Sequence, residues 1–307
     1  MVDTSPSPLA AFLARHPRLF VLTGAGMSTD CGIPDYRDER GDWKRSPPMT
    51  HQAFMQSDLA RRRYWARSLV GFQALSEARP GRGHYALAEL ERAGRLERLV
   101  TQNVDGLHQR AGSRRVIDLH GQADVVRCMG CGATRMRHAL HAELARLNPH
   151  WTTLEAQVGP DGDADLESRN FADFSLLSCA RCGDGIFKPD VVFFGDNVPR
   201  PRVDAAFAAL EQADAMLVAG SSLMVYSGYR FAKRAAELGK PLACVNMGRT
   251  RADALFSLKL EAPVGETLEA AVGETLEAAV REVTASRSPQ TPPRATQSAG
   301  PVSTLRR

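Results

Sequence analysis

The sequence has no apolar run long enough to cross a bilayer, and it carries little excess charge of either sign. A membrane-spanning helix needs about 20 apolar residues in succession, and no such run occurs among the 307 residues. The net charge of +4 is small and dispersed, which argues against an extended electrostatic surface for nucleic acid. We therefore expect neither a membrane nor a nucleic-acid partner.

The N-terminal segment lacks the basic start and long apolar stretch of a secretory signal. Cysteine is also scarce. Of the six cysteines, four form two CxxC pairs, and this is not the pattern of a disulfide framework. These features predict a cytoplasmic protein that binds a metal in a reducing compartment.

Short apolar runs alternate with helical patterns along most of the chain. The predicted strands are Arg18–Leu22, Leu99–Gln102, Val116–Leu119, Val191–Phe194, Ala215–Ala219 and Leu242–Asn246. Such alternation is typical of an α/β fold. We expect a Rossmann-like open parallel sheet with helices on both faces.

Two excursions interrupt this alternation, and they predict a small zinc-binding and helical module. The module would comprise 41–83, which reads as helical, and 128–187, which holds the cysteine pairs. Residues 15–40, 84–127 and 188–283 would form the nucleotide-binding part of a single domain over 1–283. Within the second excursion, Asn148 to Asp173 reads as a surface loop.

The C-terminal region carries a short repeat and then a biased tail. Val264–Ala271 is repeated at once as Val272–Ala279, with apolar residues four apart, so the repeat predicts a lengthened terminal helix. Residues 284–307 are rich in Ser, Thr, Pro and Gln. Such composition cannot bury enough apolar surface to order itself, so we expect a disordered tail.

A glycine-rich turn, Gly24-Ala-Gly26, follows the first predicted strand. Glycines at a helix start let the backbone approach a phosphate closely. A dinucleotide-binding dehydrogenase would need a third glycine where Thr29 stands. The turn therefore predicts a nucleotide site but disfavours a hydride-transfer enzyme.

Further motifs follow in a fixed order. They are Gly24 to Arg37, Thr101-Gln-Asn-Val-Asp105, Asp118-Leu-His-Gly121, Lys188 to Gly195, Gly220-Ser-Ser222 and Asn246-Met-Gly248. With the cysteine pairs between the third and fourth of these blocks, the chain resembles the sirtuins, the NAD-dependent protein deacylases. The resemblance extends from Leu19 to Val264.

Some features resemble the class II sirtuins in particular. They are Tyr36, the stretch Arg63–Arg67, the long insert between the cysteine pairs and Val225–Tyr229. Among class II members, the fourth human sirtuin, a mitochondrial enzyme, is the one we expect it to be most similar to. We expect a bacterial member of the family.

The resemblance implies that NAD is a co-substrate. The acyl group would pass from lysine to ADP-ribose, with release of nicotinamide and O-acyl-ADP-ribose, and the partners would be acylated-lysine proteins or peptides. His120 is the expected general base, because imidazole titrates near neutral pH, and Asn103 is the other expected catalytic residue. The residues expected to bind NAD are Gly24, Ala25, Gly26, Ser28, Thr29, Asp30, Ile33, Pro34, Asp35, Tyr36, Arg37, Gln102, Asn103, Val104, Asp105, Gly220, Ser221, Ser222, Asn246, Met247, Gly248 and Val264.

Two groups of residues are expected to meet the acyl-lysine. Tyr64 and Arg67 lie three apart on a predicted helix and so share a face, where Arg and Tyr together suit an acyl group that ends in a carboxylate. The strand-end residues Val192, Phe193, Phe194 and Gly195 have two readings, a further buried strand or an edge to which a peptide adds. The resemblance favours substrate binding there.

The cysteines Cys128, Cys131, Cys179 and Cys182 can supply four thiolates to one tetrahedral zinc ion. The spacer between the pairs exceeds the roughly 15–20 residues of a compact zinc ribbon, but an excursion can leave the site and return. Four thiolates leave no position open for water, so we expect a structural zinc. Cys31 and Cys244 are expected to be small buried residues.

Two other functions remain open at this point. The same NAD site would also serve a protein mono-ADP-ribosyltransferase. A zinc-ribbon module for nucleic acid would instead need a basic surface around the cysteines, whereas the insert carries Asp161, Asp163, Asp165 and Glu167.

Overall fold

The computed structural model describes residues 6–44, 48–154, 156–157, 159, 162–166 and 169–287, with side chains described up to residue 281. The tail predicted from residue 284 lies outside the described residues, except for 284–287, which continue the last helix.

The described chain alternates helices and strands. The helices are α1 (Pro8–Arg15), α2 (His51–Gln56), α3 (Asp58–Glu77), α4 (Arg82–Arg92), α5 (Leu107–Arg110), α6 (Arg137–Leu147), α7 (Arg200–Gln212), α8 (Tyr226–Glu237) and α9 (Val264–Arg287). The strands are β1 (Leu19–Thr23), β2 (Leu96–Thr101), β3 (Val116–Asp118), β4 (Gly121–Cys128), β5 (Thr134–Met136), β6 (Phe187–Val191), β7 (Ala215–Ala219), β8 (Leu242–Val245) and β9 (Leu258–Leu260).

The main sheet is parallel, as predicted, with six strands in the order β3-β2-β1-β7-β8-β9. The chain builds outward from β1 through β2 to β3, and then returns to place β7 on the other side of β1. The order therefore reverses between β1 and β7. In open α/β sheets, ligands bind at the carboxyl end of such a switch point.

Helices cover both faces of this sheet, which confirms the expected architecture. Leu19 and Val21 of β1 pack with α1, α4 and α9 on one face. Phe20 and Leu22 pack with α7 and α8 on the other. Because successive strand side chains point to opposite faces, a five-residue strand that is buried throughout requires a helical layer on each side.

A second sheet is antiparallel, in the order β5-β4-β6. It corrects one predicted strand: the strand expected at Val191–Phe194 is Phe187–Val191, and it belongs to this sheet rather than to the parallel one. The apolar residues after Val191 resembled a strand in sequence, yet they form an irregular segment. The second sheet also runs from Gly121 to Val191, beyond the expected limits of 128 and 187.

The helical and cysteine-bearing excursions share one core. Phe54 of α2 and Trp65 of α3 are buried with Val126 of β4, Leu140 of α6 and Phe187 of β6. The indole of Trp65 donates a hydrogen bond to the Phe187 carbonyl at 3.2 Å. The two excursions therefore pack as one body beside the main sheet.

The insert between the cysteine pairs is more buried than predicted. Trp151, Leu166, Phe171 and Phe174 lie in the core of this second body. The Ala164 amide donates to the Arg67 carbonyl at 3.0 Å, which satisfies the backbone at the point where the insert crosses α3. The Gly, Pro and Asp residues of the insert suggested a surface loop, so the burial of its apolar side chains was not predicted.

The tandem repeat forms one continuous helix, α9, as predicted. Val264, Leu268 and Val272 are buried, Leu276 is partly buried against them, and Val280 is exposed. The repeat thus extends the helix so that it packs on α1, where the Thr275 hydroxyl, which donates to the Ala271 carbonyl at 2.6 Å, lies 3.4 Å from the Ala10 carbonyl oxygen. Among the described residues, no helix is long and apolar enough to cross a membrane.

Candidate active site

The residues expected to bind NAD follow several neighbouring strands of the main sheet. Gly24 to Asp30 follow β1, Gln102 to Asp105 follow β2, and His120 lies just after β3. Gly220 to Ser222 follow β7, and Asn246 to Gly248 follow β8. Because the carboxyl ends of parallel strands meet at one edge, the switch point collects all of them.

Two glycine turns interlock at the centre of this edge. The Gly26 amide donates to the Gly220 carbonyl at 2.9 Å. A Cβ added to Gly24 would lie 2.8 Å from the Ser221 Cβ, and one added to Gly220 would lie 2.5 Å from the Gly26 carbonyl carbon. Gly220 also has a φ of +64°, which favours glycine. These contacts require glycine in both turns, the residue that lets a backbone approach a phosphate closely.

A polar network joins the β1 and β2 turns. The Ser28 hydroxyl donates to the Asp105 Oδ2 at 2.8 Å and accepts from the Asn103 Nδ2 at 3.0 Å. The Asp105 Oδ1 accepts from the Leu107 amide at 2.9 Å. Asn103 and Asp105 are therefore held in place before any ligand arrives.

His120 lies between the β2 turn and α8. Its Nδ1 is 3.0 Å from the Gln102 carbonyl oxygen, and its Nε2 is 2.8 Å from the Ser227 Oγ. A carbonyl only accepts, so Nδ1 must carry the proton, and Nε2 keeps its lone pair and accepts from Ser227. Although the residue keeps some surface exposure, burial of the ring lowers the pKa of His120 to about 4, with a smaller contribution from the charge of Arg230. The imidazole is neutral at physiological pH, as a general base must be.

Residues 33–44, which we call the NAD-covering loop, include Ile33 to Arg37, which the resemblance assigns to NAD binding. Within it, Asp35 pairs with Lys44 at 2.5 Å, and the Arg37 guanidinium lies 4.0 Å from the centre of the Trp43 ring. Pro34 precedes Asp35, and Tyr36 packs edge-on against Trp43. Residues 45–47, which follow, are outside the described chain.

Ile33 and Val104 face the second body. They pack in an apolar cluster with Phe72, Leu107 and Ala123. This cluster joins the NAD-side turns to α3 and β4, so the two bodies meet beside the site.

The β8 turn and the start of α9 close the other side. A Cβ on Gly248 would lie 2.6 Å from the Glu39 Cα, and one on Gly265 would lie 2.6 Å from the Asp30 Oδ2. Asn246 donates to the Met247 carbonyl at 2.7 Å, and Met247 itself is exposed. Val264 is buried beneath this turn.

The expected substrate segment Val192–Gly195 lies across His120 from α8. The Val192 amide donates to the His120 carbonyl at 2.7 Å. Phe194 forms an isolated bridge with Thr50, and its ring packs edge-on against Tyr36 and Trp43. The segment therefore links the histidine to the NAD-covering loop.

Tyr64 and Arg67 lie on α3 in the second body. Tyr64 is buried, with its ring 5.3 Å from that of Phe193 and 5.4 Å from that of Phe54. The Arg67 Nε donates to the Ala164 carbonyl at 2.8 Å. Tyr64 is thus in contact with the expected substrate segment, whereas Arg67 helps to hold the insert.

The cysteines Cys128, Cys131, Cys179 and Cys182 converge, with all four sulfur atoms within 4.8 Å of one another. The Cys128–Cys182 and Cys131–Cys179 sulfur separations are 3.6 and 3.8 Å. A tetrahedral zinc with Zn–S bonds of about 2.3 Å requires sulfur separations of roughly 3.8 Å. The cluster therefore fits a structural Zn²⁺.

Without a cation, the four thiols do not share one acidity. Backbone N–H groups of Cys131 and Gly130 lower the pKa of Cys128 to about 6, whereas the hydrogen bond that the Cys182 thiol donates to Cys128 raises the pKa of Cys182 to about 12. Four adjacent thiolates would repel one another unless a metal neutralised them. Of the other cysteines, Cys244 is buried as expected, but Cys31 is only partly buried.

Three residues near the site were not predicted. Ser227 is the partner of His120, and Trp43 packs against the NAD-covering loop. Lys188 is buried and donates to the Pro189 and Val191 carbonyls at 3.0 and 2.5 Å. Ser227 and Lys188 both lie within motifs singled out in the sequence, but their side-chain hydrogen bonds are apparent only in the structure.

Fold and site together define an α/β nucleotide-binding protein with a four-cysteine metal centre. Comparison with known proteins gives the family: a profile of the Sir2 family matches residues 24–227. The "NAD-dependent protein deacetylase 2" of Bradyrhizobium diazoefficiens is 59% identical over 253 residues, which cover 82% of this chain and 92% of that protein. The chain belongs to the Sir2 family, the sirtuins.

Solved structures agree with this assignment. A structure described as "Crystal structure of a Sir2 homolog-NAD complex" is similar, with a TM-score of 0.68 and 31% identity, over 88% of this chain and 93% of that one. A second, "Sir2-p53 peptide-NAD+", has a TM-score of 0.69 and 29% identity, over 89% and 98% of the two chains.

Proposed function

We propose that this protein is an NAD-dependent protein-lysine deacylase. It would move the acyl group of a modified lysine to ADP-ribose and release nicotinamide and O-acyl-ADP-ribose. The observation that carries the proposal is a neutral His120, with an available Nε2, at the switch point of a Sir2 fold. The matched relatives named as NAD-dependent protein deacetylases support it.

NAD, when bound, supplies an electrophilic ribose carbon with nicotinamide as its leaving group. The protein's part is to hold and orient it. The turns at Gly24–Gly26 and Gly220–Ser222 would face the phosphates, since glycine lets a backbone approach a phosphate closely. The Ser28–Asn103–Asp105 network would hold the carboxamide and ribose, because its amide and carboxylate groups are already fixed.

His120 would act as the general base. Its Nε2 accepts from Ser227 in the free protein, and a ribose hydroxyl would take the place of that donor. The Gln102 carbonyl fixes the tautomer through Nδ1 and would stabilise the ring once it is protonated. A positioned base of this kind contributes about 10²–10⁴-fold to the rate.

The acyl-lysine would enter between Val192–Gly195 and the start of α8, which flank His120. The apolar rings of Tyr36, Trp43 and Phe194 would exclude water on the NAD side. An amide oxygen is a weak nucleophile, so exclusion of water protects the reaction from hydrolysis.

We extend the proposal to acyl groups larger than acetyl and to class II, with the fourth human sirtuin as the expected counterpart. Tyr64 and Arg67 would recognise an acyl carboxylate, and the contact of Tyr64 with Phe193 supports a pocket next to the substrate segment. Because Arg67 also holds Ala164, Arg67→Met would affect the insert as well. The division into nucleotide-binding and zinc-bearing parts, and a cytoplasmic location, remain predictions.

The names of the relatives favour deacylation over mono-ADP-ribosyl transfer, the alternative that the sequence left open. Mass spectrometry distinguishes them: a panel of acyl-lysine peptides with NAD should yield free lysine and O-acyl-ADP-ribose. ADP-ribose on the peptide, with the acyl group retained, would contradict deacylation.

His120→Ala tests the base. The variant should keep its fold and its zinc but lose turnover, whereas His138→Ala, which changes an exposed histidine on α6, should behave like the wild type. Undiminished turnover by His120→Ala would refute the assignment.

A further inference from the structure

The first residues of α8 display Tyr226, Tyr229 and Arg230, and Arg251 from the segment after β8 lies beside them. Tyr226 is exposed, and its ring lies 6.4 Å from that of Tyr229. The Arg251 guanidinium lies 4.4 Å from the Tyr229 ring centre, and the Arg230 guanidinium lies 5.5 Å from the Tyr226 ring centre. We call these four side chains the arginine–tyrosine ledge.

The ledge continues one wall of the catalytic cleft. Ser227, the residue after Tyr226, contacts the His120 Nε2 at 2.8 Å. A Cβ on Gly228 would lie 2.7 Å from the Gln102 Nε2, so α8 packs directly against the NAD-side turn. Val192 is bonded to the backbone of the same histidine. A chain lying between Val192 and α8 would therefore pass the ledge as it leaves His120.

The positive charge of the ledge is uncompensated. Within the described chain, neither Arg230 nor Arg251 has a carboxylate partner, and the buried Arg230 Nε has no hydrogen-bond partner. Arg234, one turn further along α8, pairs instead with Glu211 at 3.2 Å. The first turn of α8 contains no acid, and its cap residue Val225 makes no side-chain cap, so the helix dipole adds to the positive field.

The backbone before the ledge is strained. Leu223 has a φ of +55° and is the one non-glycine residue with positive φ in the described chain. Its side chain is buried in the core beneath α8, and such a conformation is strained in a non-glycine residue. The core therefore imposes a fixed position on the turn that presents Tyr226.

We propose that the arginine–tyrosine ledge binds a carboxylate side chain close to the acyl-lysine, so that the enzyme selects acyl-lysines in acidic segments of its substrate proteins. This inference rests on the proposed deacylase function. Guanidinium groups bind carboxylates through paired hydrogen bonds, and the tyrosine rings hold those groups in place without neutralising them. The ledge is distinct from Tyr64 and Arg67, which would meet the acyl group itself.

A peptide series tests this specificity. The parent peptide has one acetyl-lysine flanked by alanines. Each variant carries a single Asp or a single Lys at one of the two positions before or the two positions after the acetyl-lysine. Nicotinamide release gives kcat/KM. Asp on the side facing α8 should raise kcat/KM about fivefold over Ala. This factor corresponds to about 1 kcal/mol, the free energy of one partly exposed ion pair. Lys there should lower it, and 0.5 M salt should reduce both effects.

Variants assign the effect to the ledge. Arg251→Met should bring the Asp-to-Ala ratio close to one, and Arg230→Met should reduce it. Arg251→Lys should keep part of it, because the charge remains but the planar donor pair is lost. Arg234→Met, on the same helix, should leave the ratio unchanged.

The outcomes separate the two proposals. If wild-type enzyme turns over the alanine parent but shows equal kcat/KM for Asp and Lys peptides, the ledge proposal fails and the deacylase proposal stands. An equal loss of preference in Arg234→Met and Arg251→Met would also overturn the ledge, because it would indicate only overall charge. No turnover of any acylated peptide with NAD would instead refute the proposed function.

Discussion

Gly185 is the position at which a single methyl group should empty the zinc site. It lies in the knuckle formed by the second cysteine pair, and its backbone approaches two of the four sulfur atoms. A Cβ at this position would overlap the Cys128 Sγ and would lie 2.6 Å from the Cys182 Sγ. Gly185→Ala therefore forces at least these two ligands, or the loop itself, to move.

The required movement exceeds what zinc tolerates. Ordinary contact of a Cβ with another heavy atom begins near 3.4 Å, so each sulfur must move by close to 1 Å, whereas zinc–ligand distances vary by only about 0.2 Å. Zinc binding by such sites has apparent free energies of roughly 10–16 kcal/mol. Losing two of four thiolates would remove about half of this and lower affinity on the order of 10³-fold or more.

Zinc content after purification, thermal melting and deacylation rate should fall together in Gly185→Ala. Gly130→Ala is a matched control in the other knuckle, because its added Cβ would lie 3.6 Å from the Cys182 Sγ, an ordinary contact. That control should retain one zinc per chain. Gly185→Ala with full zinc and wild-type melting would show that the cluster does not hold its metal as we infer.

Two further predictions concern the cleft. Because the pKa of His120 is lowered to about 4, the proposed base stays neutral well below pH 6.5. The value of kcat/KM, which reports the free enzyme, should therefore stay constant down to about pH 5 and decline as pH falls towards 4. A decline centred near pH 6.5, in protein shown by circular dichroism to be folded, would contradict this. Lys188→Met removes the two hydrogen bonds that tie the end of β6, worth roughly 1 kcal/mol each, and should raise the peptide KM about threefold to tenfold with little change in kcat. The surface variant Lys233→Met is its control, and an unchanged KM would show that Lys188 does not position the substrate segment.

Local pattern was sufficient to predict five of the six strands of the main sheet. Strands such as Ala215–Ala219 are short, fully apolar and followed by glycine. A run with these features is too short for a buried helix, so a buried strand is the structure that it predicts. The strand Leu258–Leu260 was missed, since it is three residues long and half-buried. Its pairing with β8, not its own sequence, makes it a strand.

The second sheet was harder to predict because its strands depend on partners far along the chain. β4 pairs with both β5 and β6, and the segment between the cysteine pairs lies among these contacts. An apolar run such as Val191–Phe194 satisfies a strand pattern, yet hydrogen bonds to His120 and His51 determine its shape. Long-range contacts of this kind are invisible to a pattern that spans a few residues.

The same distinction holds within the site. Motif order identified the residues after each strand, because such turns are local. The partner of His120 was not identified: Ser227 is distant in sequence and is brought to the ring by the packing of α8 on Gln102. The role of a residue that acts through a side chain on another element can be predicted only once the fold is known.

The position of the zinc site explains how a structural metal that takes no part in the reaction can affect the geometry of the cleft. β4 begins at Gly121, directly after His120, and ends at the ligand Cys128. β6 begins at Phe187, next to the second knuckle, and ends at Val191, directly before the residue that bonds to His120. A strand of eight residues spans roughly 23 Å, so the metal lies far from any reacting atom. Yet it would fix one end of both strands whose other ends adjoin His120, the proposed base, and Val192–Gly195, the proposed substrate segment. Loss of zinc should therefore alter the spacing between His120 and Val192 before it unfolds the main sheet. As chelator is added, activity should fall at a lower chelator concentration than the concentration at which the parallel sheet melts.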